Sequence, residues 1–472
     1  MTAPSAPRVT PSLRPPDAAP YRRRSRRRAR DRDVIDIATI VSVAVAVALF
    51  LSEGGIARFG TPAGAATALG IICGLVATDL VVVMLLLSAR IPFIDRTIGH
   101  DGAILRHGAL GKPVLYLLLA HGALLILGYA ITDGTDLPAE TAALWASSGD
   151  LQLAYLGLGL FCLVAVTSLV AARRRLPHEV WHAIHLLTYA AVAVSLPHQF
   201  GVGGLFGEPG YQRWYWLALL TVTGTSVLVY RVLVPLLQTL RHTVRVADVR
   251  PEGPGTVSIT MTGRRLAELE ARAGQFFNWR FLTPGSWWQV HPYSLSSPVR
   301  GNTLRITVRG LGRGSRRLAG VRPGTRVAFE GPYGVFTEDA RTGPRLILVA
   351  SGVGVAPIRA ILAEATFLPG QAVVVLRASS PADLLLRSEI EQLCTARGAR
   401  LYCVTGHRPT DAASWLPAQE AARGTTLRSY VPSAEQADLY ICGPPAWTSL
   451  VEADAAAMGF TPGSIHVERF AL

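Results

Sequence analysis

Between Val34 and residue 236 the chain carries six apolar segments, at about 34–51, 64–88, 109–132, 151–172, 183–197 and 214–236. Each approaches the roughly 20 residues that a helix needs to cross the hydrocarbon layer. Backbone amides in lipid must find partners within their own segment, so this half is restricted to a bundle of six spanning helices. That excludes a uniformly soluble enzyme, a coiled coil and a wholly disordered chain. The rest differs in kind: residues 1–33 are mostly Arg, Pro and Ala, and the chain beyond 237 has ordinary globular composition. The averages over 472 residues, half of them hydrophobic, 17% charged and +14 in formal charge, conceal this division. We expect a basic disordered cytoplasmic tail (1–33), a spanning domain (34–237), a small antiparallel β-barrel domain (238–340) and an α/β parallel-sheet domain (341–472).

Charge orients the bundle. The block YRRRSRRRAR at residues 21–30 cannot bury itself, and the apolar segment following at once places it beside lipid headgroups rather than on nucleic acid. A basic start before an apolar run also has the shape of a cleaved signal peptide, but further spans follow and no clear small-residue cleavage site ends the run. Arg90, Arg96 and Arg106, then Arg173, Arg174 and Arg175, and finally Arg241 alternate with poorly basic connections, and the one from Asp133 to Asp150 is acidic. Both termini and the whole C-terminal half of this multi-pass chain are therefore expected in the cytoplasm. Cys73, Cys162, Cys394, Cys403 and Cys442 form no CxxC pair, which excludes a disulfide scaffold and gives no zinc or iron–sulfur spacing.

Polar residues within the spans are costly unless they meet a partner. His107 and His121 lie 14 residues apart on the third span, so they share nearly one helix face at depths about 21 Å apart. His178, His182, His185 and His198 crowd the fifth span. Neutral imidazole is a common metal ligand, and two helices each offering histidines at two depths suit two six-coordinate haems stacked across the bilayer. Packing or interfacial histidines are the alternative. His185 and His198 are 13 apart, a rotation of about 140° that requires a kink or bulge near Pro197, and on spacing alone His182 serves as well as His185. Asp79, in the middle of the second span, touches a proton path or pairs with a neighbouring polar group.

After His242 the runs TVRVADV, TVSITMT, TLRITVRG and TRVAFEG, separated by Gly and Pro, predict a small antiparallel barrel. From Arg345 onward strand-like runs (RLILVA, AVVVLRA, RLYCVTG, ADLYICG) alternate with helical ones, as in a doubly wound parallel sheet. SGVGVAP at 351–357 follows a buried strand and opens a helix, where the amides around Gly352, Val353 and Gly354 suit a pyrophosphate. Pro357 stands where the third glycine of the dinucleotide fingerprint belongs, and a tight βα turn without a ligand is the alternative. RGLGRGS at 309–315 offers Arg309, Gly310, Gly312, Gly314 and Ser315 to another phosphate group, or forms a surface hairpin.

HPYSLSS at 291–297 resembles the flavin signature of the ferredoxin–NADP reductase superfamily, in the His-Pro-aromatic form found in ferric reductases and NADPH oxidases. The resemblance covers residues 34–472, and its motifs stand in the family's order. It implies FAD held by His291, Pro292, Tyr293, Ser294, Ser296 and Ser297, with Tyr293 packed on the isoalloxazine and Ser294 near the flavin N5. His291 replaces the Arg usual in the soluble reductases. It further implies that RGLGRGS holds the FAD phosphates, that SGVGVAP is the pyridine-nucleotide loop, and that YICGPP brings Cys442, Gly443 and Pro444 beside the nicotinamide. HVERF resembles the closing segment, so Glu468 assists near the flavin and Phe470 covers its ring, although two residues follow Phe470 where an aromatic is often last. Ferric reductases carry paired histidines on spans three and five, which implies one b-type haem between His107 and His185 and another between His121 and His198.

The function so implied is transmembrane electron transfer from cytoplasmic NAD(P)H through FAD and two haems to a small acceptor on the outer face, a ferric chelate or dioxygen. A flavin trades in both electron pairs and single electrons, which joins nicotinamide to haem. A membrane-anchored flavin reductase serving an intracellular partner, with structural histidines, is the alternative; a transporter with a nucleotide-sensing tail is a further class, against which HPYSLSS argues. Arg377, Ser379, His407 and Arg408 suit a 2′-phosphate, which favours NADPH over NADH.

Overall fold

A computed structural model of the chain describes residues 19–169, 176, 178–201, 210–409, 414–431 and 433–469. It divides into a unit of residues 31–234 and a second unit formed by residue 235 onward with the segment before 31.

The first unit is helical. Helix α1 (Ala19–Ser52) runs into it, and α2 (Pro62–Ser88), α3 (Pro92–Ile98), α4 (His100–Asp133), α5 (Leu137–Ser147), α6 (Gly149–Ser168), α7 (His178–Gly201) and α8 (Tyr211–Leu228) follow. A π-helical turn, Val229–Leu233, passes the chain to α9 (Val234–His242). Among the described residues six stretches are long and apolar enough to span a membrane: Arg30–Ser52, Pro62–Ser88, His100–Asp133, Gly149–Ser168, Val180–Gly201 and Tyr211–His242. Their starts are written in the chain. The Thr61 side chain accepts the Gly64 amide at 3.1 Å ahead of Pro62, and Ser148 accepts the Leu151 amide at 3.2 Å, each satisfying an otherwise orphaned N–H. The third span begins at His100 rather than near 109, because helical pairing continues through residues too polar to register as apolar. The sixth continues through Arg231 to His242 for the same reason. The acidic connection is not all loop: Asp136 caps α5 by accepting the Ala139 amide at 2.8 Å. Residues 170–172, expected in the fourth span, lie outside the described residues.

Within this unit α2 packs along α4, and α6 along α7. Glycines permit the first approach: a Cβ on Gly128 would stand 2.3 Å from Thr67 Oγ1, and one on Gly70 3.1 Å from the Leu125 amide nitrogen. Small residues at such a seam let helix backbones come together where lipid gives no hydrophobic drive.

The second unit contains two three-stranded antiparallel sheets and one five-stranded parallel sheet. Strands β1 (Arg245–Gly253), β2 (Thr256–Thr262) and β5 (Thr303–Arg309) pair in the order β1-β2-β5. β3 (Phe276–Phe281), β4 (His291–Ser294) and β6 (Val327–Tyr333) pair as β4-β3-β6. One core joins the two sheets, with Ile259, Met261, Phe277, Trp279, Leu304, Ile306 and Phe329 buried in it. A short helix, α10 (Arg313–Leu318), follows β5. This is the antiparallel domain expected from the β-branched runs.

The parallel sheet has the order β11-β10-β7-β8-β9, from β7 (Arg345–Ser351), β8 (Ala372–Ala378), β9 (Arg400–Thr405), β10 (Ala437–Gly443) and β11 (Ile465–Arg469). Helices α11 (Val355–Glu364), α12 (Arg387–Arg397), α13 (Ala418–Ala422) and α14 (Pro445–Met458) connect them. Alternate residues of β7 enter two cores: Leu346, Leu348 and Ala350 one, Ile347 and Val349 the other. Burial on both faces is why its sequence reads as a continuous apolar run. The strand order reverses between β7 and β10, the crevice where such sheets bind ligands beyond their carboxyl ends.

Candidate functional site

The motifs singled out in the sequence of the second unit converge on that crevice. The first contact joins HPYSLSS to RGLGRGS: a Cβ on Gly314 would come within 3.0 Å of His291 Cε1. The His291 and Tyr293 rings lie parallel, 5° apart in plane with centres 6.0 Å apart. Burial lowers the His291 imidazole from its ordinary value, keeping it neutral at pH 7, and raises the Tyr293 phenol. Ser294 is buried with no hydrogen-bond partner for its hydroxyl among the described residues, so a group at that face would meet an available donor. Pro292 is exposed and Ser297 half-buried.

Ser296 is wholly buried and its hydroxyl accepts Arg305 Nε at 3.1 Å. It is therefore held by a side chain that the sequence reading passed over. Ser315 caps the turn into α10, its hydroxyl accepting the Gly312 amide at 2.9 Å, with Gly310 and Gly312 leading into that turn.

RGLGRGS meets SGVGVAP in turn. Arg309 Nη1 would lie 3.5 Å from a Cβ on Gly352, whose φ of +56° favours glycine. Gly352, Val353 and Gly354 form the turn into α11, and Pro357 sits in the first helical turn, where no amide hydrogen bond is lost. A Cβ on Gly354 would stand 2.2 Å from the Cys442 carbonyl oxygen, so this loop lies against the end of β10. Gly443 is as tightly enclosed, by Trp447, while Pro444 is exposed. Cys442 and Glu468 are register partners across the parallel β10–β11 pair. Burial, and then the Glu468 charge, push the Cys442 thiol well above its ordinary value, so it remains a thiol.

The 2′-phosphate candidates separate. Arg377 is buried and its guanidinium donates to the carbonyls of Trp415 (3.2 Å), Gly406 (2.6 Å) and Ala378. Three of its five N–H donors are thus engaged by backbone carbonyls. Arg408 and His407 are exposed. Phe470 lies outside the described residues.

In the helical unit, His107 on α4 and His185 on α7 stand edge to face with ring centres 5.9 Å apart. Two imidazoles on opposite sides of one metal ion, each bonded at about 2 Å, have ring centres roughly 6 Å apart. The pair fits a bis-histidine haem on that measure. His185, not the exposed His182, takes this position. His107 donates from Nδ1 to the Met84 carbonyl at 3.0 Å and His121 from Nδ1 to the Gly70 carbonyl at 2.8 Å; Ser168 Oγ is 3.4 Å from His185 Nδ1. Anchoring of Nδ1 fixes the tautomer and leaves Nε2 to a metal. A Cβ on Gly74 would come within 2.5 Å of the His121 ring, so glycine there makes room for it. His198 follows Pro197 inside α7, in the neighbourhood of His121. Among the described residues no group of three or more His, Cys, Asp or Glu is placed to hold a metal, so what the bundle offers is these pairs.

Comparison with known proteins agrees with this architecture. Residues 73–196 match the family described as ferric reductase like transmembrane component. Residues 242–337 match an FAD-binding domain and residues 348–452 an oxidoreductase NAD-binding domain. Ferredoxin–NADP reductase B of Sorangium cellulosum is 28% identical over 244 residues, 48% of this chain and 96% of its own length. The flavohemoprotein of Bacillus subtilis is 27% identical over 207 residues, and the chain spans about half (52%) of it and 43% of itself in that match. A plasma membrane-associated coenzyme Q6 reductase of Saccharomyces cerevisiae is 27% identical over 42% of this chain and 65% of its own. Among solved structures, the FAD/NAD-binding domain of the Vibrio cholerae nitric oxide dioxygenase has a TM-score of 0.40 at 22% identity, over 48% of this chain and 98% of that one. The three family matches, in chain order, assign the chain to the ferric reductase and NADPH oxidase type: a membrane-spanning ferric-reductase-like component joined to FAD- and NAD-binding oxidoreductase domains.

Proposed function

We propose that the chain carries electrons from cytoplasmic NAD(P)H, by way of FAD and two b-type haems, to a ferric chelate or dioxygen at the opposite membrane face. The observation that carries this reading is the edge-to-face pair of His107 and His185, with His107 and His121 each fixed by a carbonyl of α2 at two depths. His107 with His185 would hold the haem on the cytoplasmic side, and His121 with His198 the outer one. When bound, FAD accepts an electron pair from the nucleotide and passes single electrons onward.

The protein's own part is positional. Tyr293 would pack on the flavin and Ser294 would donate toward it. Gly314 and Arg309 would hold the FAD phosphates, the amides of Gly352 to Gly354 the nucleotide pyrophosphate, and Arg408 its 2′-phosphate. Cys442, kept a thiol beside Glu468, would border the nicotinamide without transferring a proton. The arginine-rich loops support cytoplasmic termini.

The test is the haem-to-FAD ratio of the purified chain, reduced with NADPH and then offered oxygen and ferric chelate separately. Two haems per FAD are expected. His121→Ala should remove one haem and abolish onward transfer while flavin reduction persists; unchanged haem content would reject the assignment. Flavin absorption alone would favour a membrane-anchored flavin reductase.

A further inference from the structure

One ionisable group of the bundle has no part in that electron path. Asp79, in the middle of α2, is wholly buried and its Oδ2 has no hydrogen-bond partner among the described residues. Its Oδ1 lies 2.8 Å from Ser42 Oγ on α1, and Ser42 Oγ lies 2.9 Å from the phenol oxygen of Tyr215 on α8. The Tyr215 hydroxyl donates to the Ser42 carbonyl at 3.0 Å.

Ser42 Oγ donates to Asp79 Oδ1, and the Tyr215 hydrogen faces both the Ser42 carbonyl and Ser42 Oγ. The carboxyl thus has one donor for its two oxygens. An ionised Asp79 would hold a charge in apolar surroundings with Oδ2 unmet among the described residues, the arrangement that burial penalises most.

We propose that Asp79 is a proton-binding site inside the bundle. Ser42 donates to Asp79 Oδ1, Tyr215 donates to the Ser42 carbonyl, and the bound proton sits on Oδ2. Binding is the addition of one proton to the carboxylate, with no electron moved. The other titratable groups turned toward α2 by helices packed on it are Tyr215 from α8 and, at other depths, His107 and His121 from α4. Asp79 is five residues from Met84 and nine from Gly70, hence about 7.5 and 13.5 Å along the axis from the carbonyls that fix the two histidines. The bound proton removes a fixed negative charge from the depth between the histidine pairs. That consequence rests on the proposed electron path, whereas the protonation does not.

The test is infrared difference spectroscopy of the full chain in lipid nanodiscs, H₂O against D₂O at neutral pH. A carboxylic-acid C=O band that shifts on deuteration is expected, and it should be lost in Asp79→Asn, whose amide oxygen accepts the same Ser42 hydrogen. Identical native and variant spectra overturn the proposal. Should Asp79→Asn not fold, Ser42→Ala gives a second reading: the acid carbonyl loses its donor and the band moves to higher frequency, whereas an unmoved band overturns the proposal. The band needs neither haem nor flavin, so its presence in a haem-free chain would reject the electron path and leave the proton site standing.

Discussion

Arg305, on β5 of the barrel, and Glu389, on α12 of the parallel-sheet domain, meet through two parallel hydrogen bonds of 2.8 and 2.9 Å. Arg359 of α11 reaches the same carboxylate at 2.9 Å, and Arg305 also holds Ser296. The helix that opens at the nucleotide loop and the strand beside the flavin signature thus share one anion. Burial works against the Glu389 charge, but the Arg305 hydrogen bond and the two guanidiniums outweigh it and hold the carboxyl below its ordinary 4.5. A lowered folded value stabilises above the unfolded value, and the gain is lost as pH falls through the folded one. Glu389→Gln should cost roughly 1.5–3 kcal/mol at neutral pH. Flavin-release melting should show this loss at pH 7 and a shrinking difference below pH 4.5; a pH-independent difference would count against the ion pair.

Ser294 offers a free buried hydroxyl where the flavin is proposed to lie. Removing one hydrogen bond worth about 1–3 kcal/mol slows a reaction roughly 5- to 150-fold. Ser294→Ala should lower the rate of flavin reduction by NADPH in stopped flow by that range while FAD stays bound. Tyr293→Ala should instead release FAD.

Gly74 makes room for the His121 ring, whereas a Cβ on Gly108, next to His107, meets nothing within 4 Å. Gly74→Val is expected to displace His121 and lower haem content from two to one per flavin. Gly108→Ala should leave the ratio unchanged, which separates a local clash from general loss of the bundle.

Cys403 is exposed, Cys394 is buried and pushed up to about 11, chiefly by burial, and Cys442 is wholly buried. Thiolate, not thiol, is the nucleophile. Maleimide at pH 8 should label Cys403, read by peptide mass spectrometry, and spare Cys394 and Cys442 until the chain is denatured.

Arg377 and Arg408 should fail differently. Arg377→Ala leaves three backbone carbonyls without their donors and should destabilise the domain by roughly 2–4 kcal/mol with little change in nucleotide preference. Arg408→Ala should leave stability alone and reduce the kcat/KM ratio of NADPH to NADH about tenfold, the loss of about 1.4 kcal/mol.

The spans were legible because length and apolarity are the whole requirement of the bilayer. Their ends were not, since residues 100–108 keep helical pairing beyond the apolar stretch. Strand β3 escaped because FFNWRF is a continuous aromatic run without alternation, and β4 was hidden inside the flavin signature. The glycine motifs announced their own places. Arg305 did not, because nothing local separates one arginine from the others in a chain rich in them, and its partner lies 84 residues away. The carbonyls of Gly70 and Met84 carry no signal at all, every residue having one. At Arg377 residue type suggested a phosphate ligand, and nothing local announced the backbone carbonyls that its guanidinium also meets.

Met84 and Gly70 are 14 residues apart on α2, as are His107 and His121 on α4. Two antiparallel rods with equal rise therefore measure the same interval of about 21 Å against each other. The gap between the two histidine levels is a ruler cut twice, belonging to helix pitch rather than to any side chain. Inserting one residue between the marks of either rod would turn the far histidine by about 100° and break its anchor. That gap is thus closed to gradual adjustment by sequence drift, and only matched changes of length in both helices would alter it.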